Sequence, residues 1–179
     1  MTYRMRGLGA GESGSALGLG QLNARWSQMA PASPIALSLA SLAAMDHALY
    51  LLHQSAHWQS SGPTYYGDHL MFQRLYKPID KEIDSLGERA VGLGDPRLVC
   101  PLTTSQMAFD LLQGWGKGHR ADAPLRLVQL SLYAEKCFLK AIKEAMSQPA
   151  SDGVQNLLQG IADVHEGNVY LLQQRLVRG

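Results

Sequence analysis

At 179 residues and a net charge of +1, the chain is long enough for one domain with a real core, and it has no charge excess that would point to nucleic acid or an anionic membrane. Hydrophobic residues make up 46% and charged residues 17%, which fits a compact, water-soluble domain with room for buried subunit contacts. Cys100 and Cys137 are too few for a disulfide framework or a clustered zinc site. With apolar runs short of a membrane span and no signal-peptide pattern at Met1, the expectation is a cytoplasmic protein.

In chain order, the opening "MTYRMRGLGAGESGSALGLG" is glycine-rich and offers little to pack. Residues 1–33 are therefore read as a flexible tail and lead-in, with Trp26 a candidate anchor onto the body. Ser33-Pro34 then supplies an N-cap and a proline at the first helical position. Ile35, Leu39, Leu42, Leu49, Leu52 and Ala56 follow at three- and four-residue steps, which predicts a first long helix to about Trp58. Gly62-Pro63 makes the turn into a second, carrying Phe72, Leu75, Ile79, Ile83, Leu86 and Ala90 and stopping near Gly94-Asp95-Pro96. Pro78 lies inside that helix and predicts a kink or local break.

"TTSQMAFDLLQGW" reads as a short helix and "GKGHRADAP" as a loop. A third long helix starts near Asp122 and holds Leu125, Val128, Leu132, Leu139, Ile142 and Met146 on one stripe up to Pro149. Ser151 caps a fourth, bearing Val154, Leu158, Ile161, Leu172 and Leu176. No useful stretch alternates with period two. The pattern predicts an all-α domain over 34–177, a four-helix bundle with one short extra helix between the second and third long helices.

The second long helix carries the clearest candidate chemistry. At 100° per residue from His69, Gln73 lies at about 40°, Lys77 at about 80°, Asp80 at about 20°, Asp84 at about 60° and Glu88 at about 100°. These residues form one polar stripe, with histidine at one end and carboxylates at the other. Such a stripe is also what a solvated helix face looks like. The distance between its ends adds a constraint. From His69 to Asp84 is roughly 22 Å along a helix, and His57 lies at the histidine end, across the turn. No single ion can join those ends within one chain. A second copy related by a two-fold axis would bring histidines against carboxylates and predicts an isologous dimer with two equivalent sites. Imidazole plus carboxylate suits Fe(II) or Zn(II), and carboxylates stabilise Fe(III) as it forms.

The stretch "HWQSSGPTYYGDHLMFQRLYKPIDKEIDSLGERAVGLG" resembles the Dps family of mini-ferritins, with His57-Trp58, Gly62, His69, Asp84 and "ERAVGLG" from Glu88 in that family's register. The resemblance extends over roughly residues 34–177. It implies a ferritin-like subunit assembling into a hollow dodecamer, with ferroxidase centres at dimer interfaces that oxidise Fe(II), preferably with hydrogen peroxide. Ferric mineral would be stored inside, protecting against oxidative stress. Carried over, His57 and His69 come from one subunit and Asp84 and Glu88 from the other, with Trp58 beside the iron as an acceptor of oxidising equivalents. Zinc is an alternative occupant.

The chain departs from the family at Gln73, where an aspartate is usual; a neutral amide is a poorer iron ligand. Gly87 replaces a usual alanine, and of the acidic residues often found at the start of the fourth helix only Asp152 remains. DNA binding, the family's other activity, typically uses basic tails; Arg4, Arg6, Arg175 and Arg178 offer few phosphate contacts per chain, so any binding should be weak and salt-sensitive.

Asp46 and His53 interrupt the apolar stripe of the first long helix, Glu135 that of the third and His165 that of the fourth. Inward polar groups on three helices allow a metal centre inside one bundle, with His53 as a further candidate ligand. Because the second long helix has no inward Glu-x-x-His, buried polar pairs such as Glu135 with a histidine fit the pattern better. Two alternatives therefore stand beside the interface ferroxidase: a cage-forming structural or DNA-binding protein with oxidation impaired at Gln73, and a ferritin-like di-iron protein with its site inside the bundle.

Overall fold

A computed structural model describes residues 17–116 and 123–177. The expectations for the first sixteen residues, for most of the loop after Gly116 and for Arg178 lie outside the described residues. The helices are α1 (Leu19–Ser27), α2 (Pro34–Gln59), α3 (Tyr65–Tyr76), α4 (Ile79–Leu93), α5 (Pro101–Gly116), α6 (Ala123–Met146) and α7 (Asp152–Val177), with a 3-10 turn at Pro96–Val99. Four rods form the bundle: α2, the broken rod α3–α4, α6 and α7. α2 packs against α1, α3, α4, α5 and α6, while α7 packs on α6. The extra helix between the second and third rods is α5. The architecture is the expected all-α bundle.

Local chemistry sets most of the boundaries. The Ser33 hydroxyl accepts from the Ala36 amide at 3.3 Å, and Pro34 occupies the first turn, where its missing N–H costs nothing. Gly62 sits at φ 78, a left-handed position that suits glycine and closes the α2–α3 turn. Pro78 cannot donate to the carbonyl four residues back, so the second rod breaks: α3 ends at Tyr76 and α4 starts at Ile79. Beyond α4, a Cβ on Gly94 would lie 2.7 Å from Leu98 Cδ1 and 3.1 Å from the Ala36 Cβ, so a larger residue there would require Leu98 and α2 to shift.

Two expectations change. The lead-in is a helix: α1 buries Leu19, Leu22 and Trp26 against the body. Complete burial of a side chain such as Leu22 stabilises by about 2 kcal/mol. The Asn23 amide hydrogen-bonds the Ser38 and Ser41 hydroxyls at 2.9 and 2.6 Å, and Arg25 pairs with Asp110 of α5 at 2.5 Å. Trp115 of α5 is likewise fully buried in the core. Finally, α2 is long and apolar enough to cross a membrane by composition; 78% of its most apolar window is buried inside the bundle, as befits a central core helix.

The apolar core divides into two layers. The larger runs from α1 through Leu52 on α2 and Ile161 on α7; the smaller gathers Ala56, Phe72, Leu75, Val128 and Leu172 at the hairpin end. On α2 and α7 the residues between those layers include His53, His165 and Asn168, all buried. A polar layer therefore crosses the middle of the bundle.

Candidate metal centre

Each of the four rods sends an ionisable side chain into that layer. Asp46 comes from α2, Glu82 from α4, Glu135 from α6 and His165 from α7. All are buried, and Asp46, Glu135 and His165 completely so. His165 is the hub: its Nδ1 lies 2.5 Å from Glu135 Oε2, and its Nε2 lies 2.9 Å from Glu82 Oε2 and 3.7 Å from Asp46 Oδ1. Asn168 Nδ2 donates to Glu135 Oε1 at 3.0 Å, and the Phe138 ring meets the imidazole edge-on with centroids 4.6 Å apart. His53 Nε2 is 3.6 Å from Glu135 Oε1, beyond hydrogen-bond reach, and neither ring nitrogen of His53 has a partner.

The electrostatics follow from burying three carboxylates around one imidazole. Burial raises the Asp46 pKa well above the usual carboxylate value; His165 opposes this, and Glu82 and Glu135 add to it. Burial pulls His165 down, yet Glu135 above all, with Glu82 and Asp46, holds its pKa well above the ordinary imidazole value. His53 is pushed by burial to about 4, against the pull of Glu135, and stays neutral at physiological pH.

Ligand atoms of Asp46, Glu82 and His165 lie within 4.8 Å of one another, close enough to share one cation. Both Asp46 oxygens are buried without a hydrogen-bond partner, a costly state that a bound cation relieves. Two carboxylates and an imidazole suit a divalent first-row ion such as Fe(II) or Zn(II). In di-iron bundles, two helices each supply a Glu and the other two a Glu-x-x-His pair. Here Asp46 and Glu135 stand alone, Ser85 follows Glu82 where the histidine would be, and Ala162 precedes His165 where the glutamate would be. Half of each pair remains, a set for one ion rather than two.

The residues expected at an intersubunit site lie elsewhere. His57 and His69 meet across the α2–α3 turn with rings stacked 3.7 Å apart. His57 Nδ1 is 2.7 Å from the His69 carbonyl, and His69 Nδ1 is 3.1 Å from the His57 carbonyl. Each Nδ1 can donate only as N–H, which leaves both Nε2 atoms with lone pairs free to bind a metal. Tyr76 packs edge-on to His57 and Tyr65 tilts over His69, while Trp58 is 70% exposed. Gln73 is partly buried on α3. Asp84 and Glu88 instead line an open groove of about 940 Å³ on α4, shared with His47, Leu51, Val99 and Phe109. Among the described residues, no hydrogen bond, ion pair or ring contact joins His57 or His69 to Asp84 or Glu88. The Asp46–Glu82–His165 set is the one such cluster of three found among them.

Glu82 is the member of this candidate cluster that the sequence pattern did not single out. It lies three residues after Ile79 and four before Leu86, on the buried face of α4, and that interruption of an apolar stripe is the signal that could have found it.

These helices and this inward-facing centre define a ferritin-like four-helix bundle. The fold is similar to that of Dps from Thermosynechococcus elongatus (16% identity, TM-score 0.67, covering 88% of this chain and 96% of that one). It is also similar to a C-terminal deletion mutant of Mycobacterium smegmatis Dps (15% identity, TM-score 0.64, covering 79% and 96%). In sequence, the chain is 26% identical over 121 residues to a nutrient stress-induced DNA-binding protein of Nostoc sp., covering 68% of this chain and 64% of that relative's length. No family model matches. These likenesses show a ferritin-like fold of the kind found in Dps proteins.

Proposed function

We propose that this protein is an iron-handling ferritin-like protein that holds one divalent ion inside each bundle, on Asp46, Glu82 and His165. The observation that carries this reading is the pair of unpartnered Asp46 oxygens beside Glu82 and His165 in a fully buried layer. Fe(II) suits the donor set, because carboxylates stabilise the ferric product, and Zn(II) is the alternative occupant. With hydrogen peroxide as oxidant, two Fe(II) each give up one electron, and the peroxide takes two protons to leave two waters. The test is metal content after reconstitution with Fe(II). The wild type should retain about one ion per chain at the interior site, and an Asp46→Asn plus Glu82→Gln variant should lose it. Equal retention by that variant would sink the interior assignment.

A second reading is favoured by the stacked histidines. The hydrogen bonds through Nδ1 present two adjacent Nε2 atoms, half of a ferroxidase site to be completed by Asp84 and Glu88 of the partner subunit. This reading entails two-fold dimers, and the likeness to Dps folds supports their assembly into a cytoplasmic dodecamer that stores ferric iron. If a His57→Ala plus Asp84→Ala variant oxidised Fe(II) as fast as wild type, the interface site would be excluded. DNA is at most a weak, salt-sensitive partner of such an assembly. The likeness to a DNA-binding protein of Nostoc favours the activity, whereas the +1 net charge weighs against strong binding.

A further inference from the structure

We propose that Glu135 is the positioning residue of the interior site, clamping His165 by Nδ1 so that Nε2 faces a cation held between Asp46 and Glu82. The inference rests on the interior-metal reading above. An imidazole binds a metal through one nitrogen, and its orientation and basicity are set by what the other nitrogen donates to. The two nitrogens of His165 face unequal surroundings. Nε2 looks onto two carboxylates, Glu82 at 2.9 Å and Asp46 at 3.7 Å, whereas Nδ1 has Glu135 at 2.5 Å. The side with two carboxylates is the cation side; the side with one is the support.

The state of each carboxylate agrees. Both Asp46 oxygens are free to ligate. Both Glu135 oxygens are engaged, Oε2 by His165 and Oε1 by Asn168 at 3.0 Å. Asn168 follows His165 by one turn on the same helix, so α7 carries both the ligand and the residue that fixes the ligand's clamp. His53, at 3.6 Å from Glu135 Oε1, makes no hydrogen bond that would draw the carboxylate away. Glu135 therefore acts through His165 rather than on the ion, although it stands where a di-iron bundle would use its lone glutamate as a ligand.

The test uses the full-length chain in a His57→Ala plus His69→Ala background, stripped with chelator and titrated with Co(II), whose visible bands report the ligand set. The parent should bind one Co(II) per chain. Glu135→Gln should keep that stoichiometry and spectrum and bind roughly 10–100-fold more weakly, because an amide still accepts from Nδ1–H but carries no charge. Asn168→Ala should give the same spectrum with a smaller loss. Glu82→Gln, which alters a ligand, should change the bands. Unchanged affinity in both Glu135→Gln and Asn168→Ala would overturn the inference, and so would Glu135→Gln bands that shift as those of Glu82→Gln do. A parent that takes up no Co(II) would overturn the metal reading itself, a failure visible before any clamp variant is compared.

Discussion

Two regions of this bundle use the same side-chain chemistry in opposite ways. The interior layer gathers Asp46, Glu82, Glu135 and His165 from four rods and holds them out of water. The hairpin end stacks His57 on His69 beside an exposed Trp58, and among the described residues neither ring bonds a carboxylate of its own chain. Burial makes the first arrangement complete but costly, since each unpaired charge there lacks water as a partner. The second is only partly withdrawn from water, with His57 buried, His69 half-buried and Trp58 exposed, and it is unfinished. A cluster that one chain completes can serve stability and binding together, whereas half a cluster on a surface acquires meaning only from another copy.

The largest expected difference is in stability. Glu135→Ala leaves His165 and Asn168 without their buried acceptor and should destabilise the metal-free protein by about 3–5 kcal/mol in urea unfolding. His69→Ala, at the partly exposed end, should cost about 1 kcal/mol or less. Equal losses would break the contrast. The next difference is in pH dependence. His53 has its pKa lowered to about 4, so its contribution to stability is fully present above about 6.5 and is lost as pH falls toward 4, at about 1.4 kcal/mol per unit. His165 has the opposite sign: its raised pKa gives stability that is full below about 6.5 and is lost as pH rises through the folded value. Thermal melts of chelator-treated protein should therefore show an acid-side loss that His53→Asn removes.

Metal binding separates the regions by concentration. The interior site should hold its ion at any protein concentration, whereas occupancy at His57 and His69 should fall on dilution as subunits part; size-exclusion chromatography with metal analysis reads both. The smallest effect concerns Gln73. Gln73→Asp adds a carboxylate at the hairpin end and should raise the rate of Fe(II) oxidation by a few fold in stopped-flow absorbance, with no change in interior binding.

Much of the fold was legible because its signals are local. Ser33-Pro34, Gly62 and Pro78 act on the backbone within a turn, and each sits where the boundary or break was expected. α1 was missed because Leu19, Leu22 and Trp26 lie in a glycine-rich approach whose helicity depends on packing against α2 rather than on propensity. The interior centre was half legible: Asp46, His53, Glu135 and His165 broke apolar stripes, but nothing local says that four rods bring them to one point. Glu82 was hidden further by the neighbouring Asp84, which drew attention to the polar face, and by the break at Pro78, which restarts the helical register. The stacking of His57 on His69 depends on carbonyls across the turn, a feature of tertiary geometry alone.

The central claim is tested most directly by anomalous X-ray diffraction from crystals of the full-length protein loaded with Fe(II) under anaerobic conditions. The account predicts one iron peak inside each bundle at about 2.0–2.2 Å from His165 Nε2 and from oxygens of Asp46 and Glu82. An interior without a peak, in which His165 Nε2 still hydrogen-bonds Glu82 while iron gathers elsewhere, would contradict it.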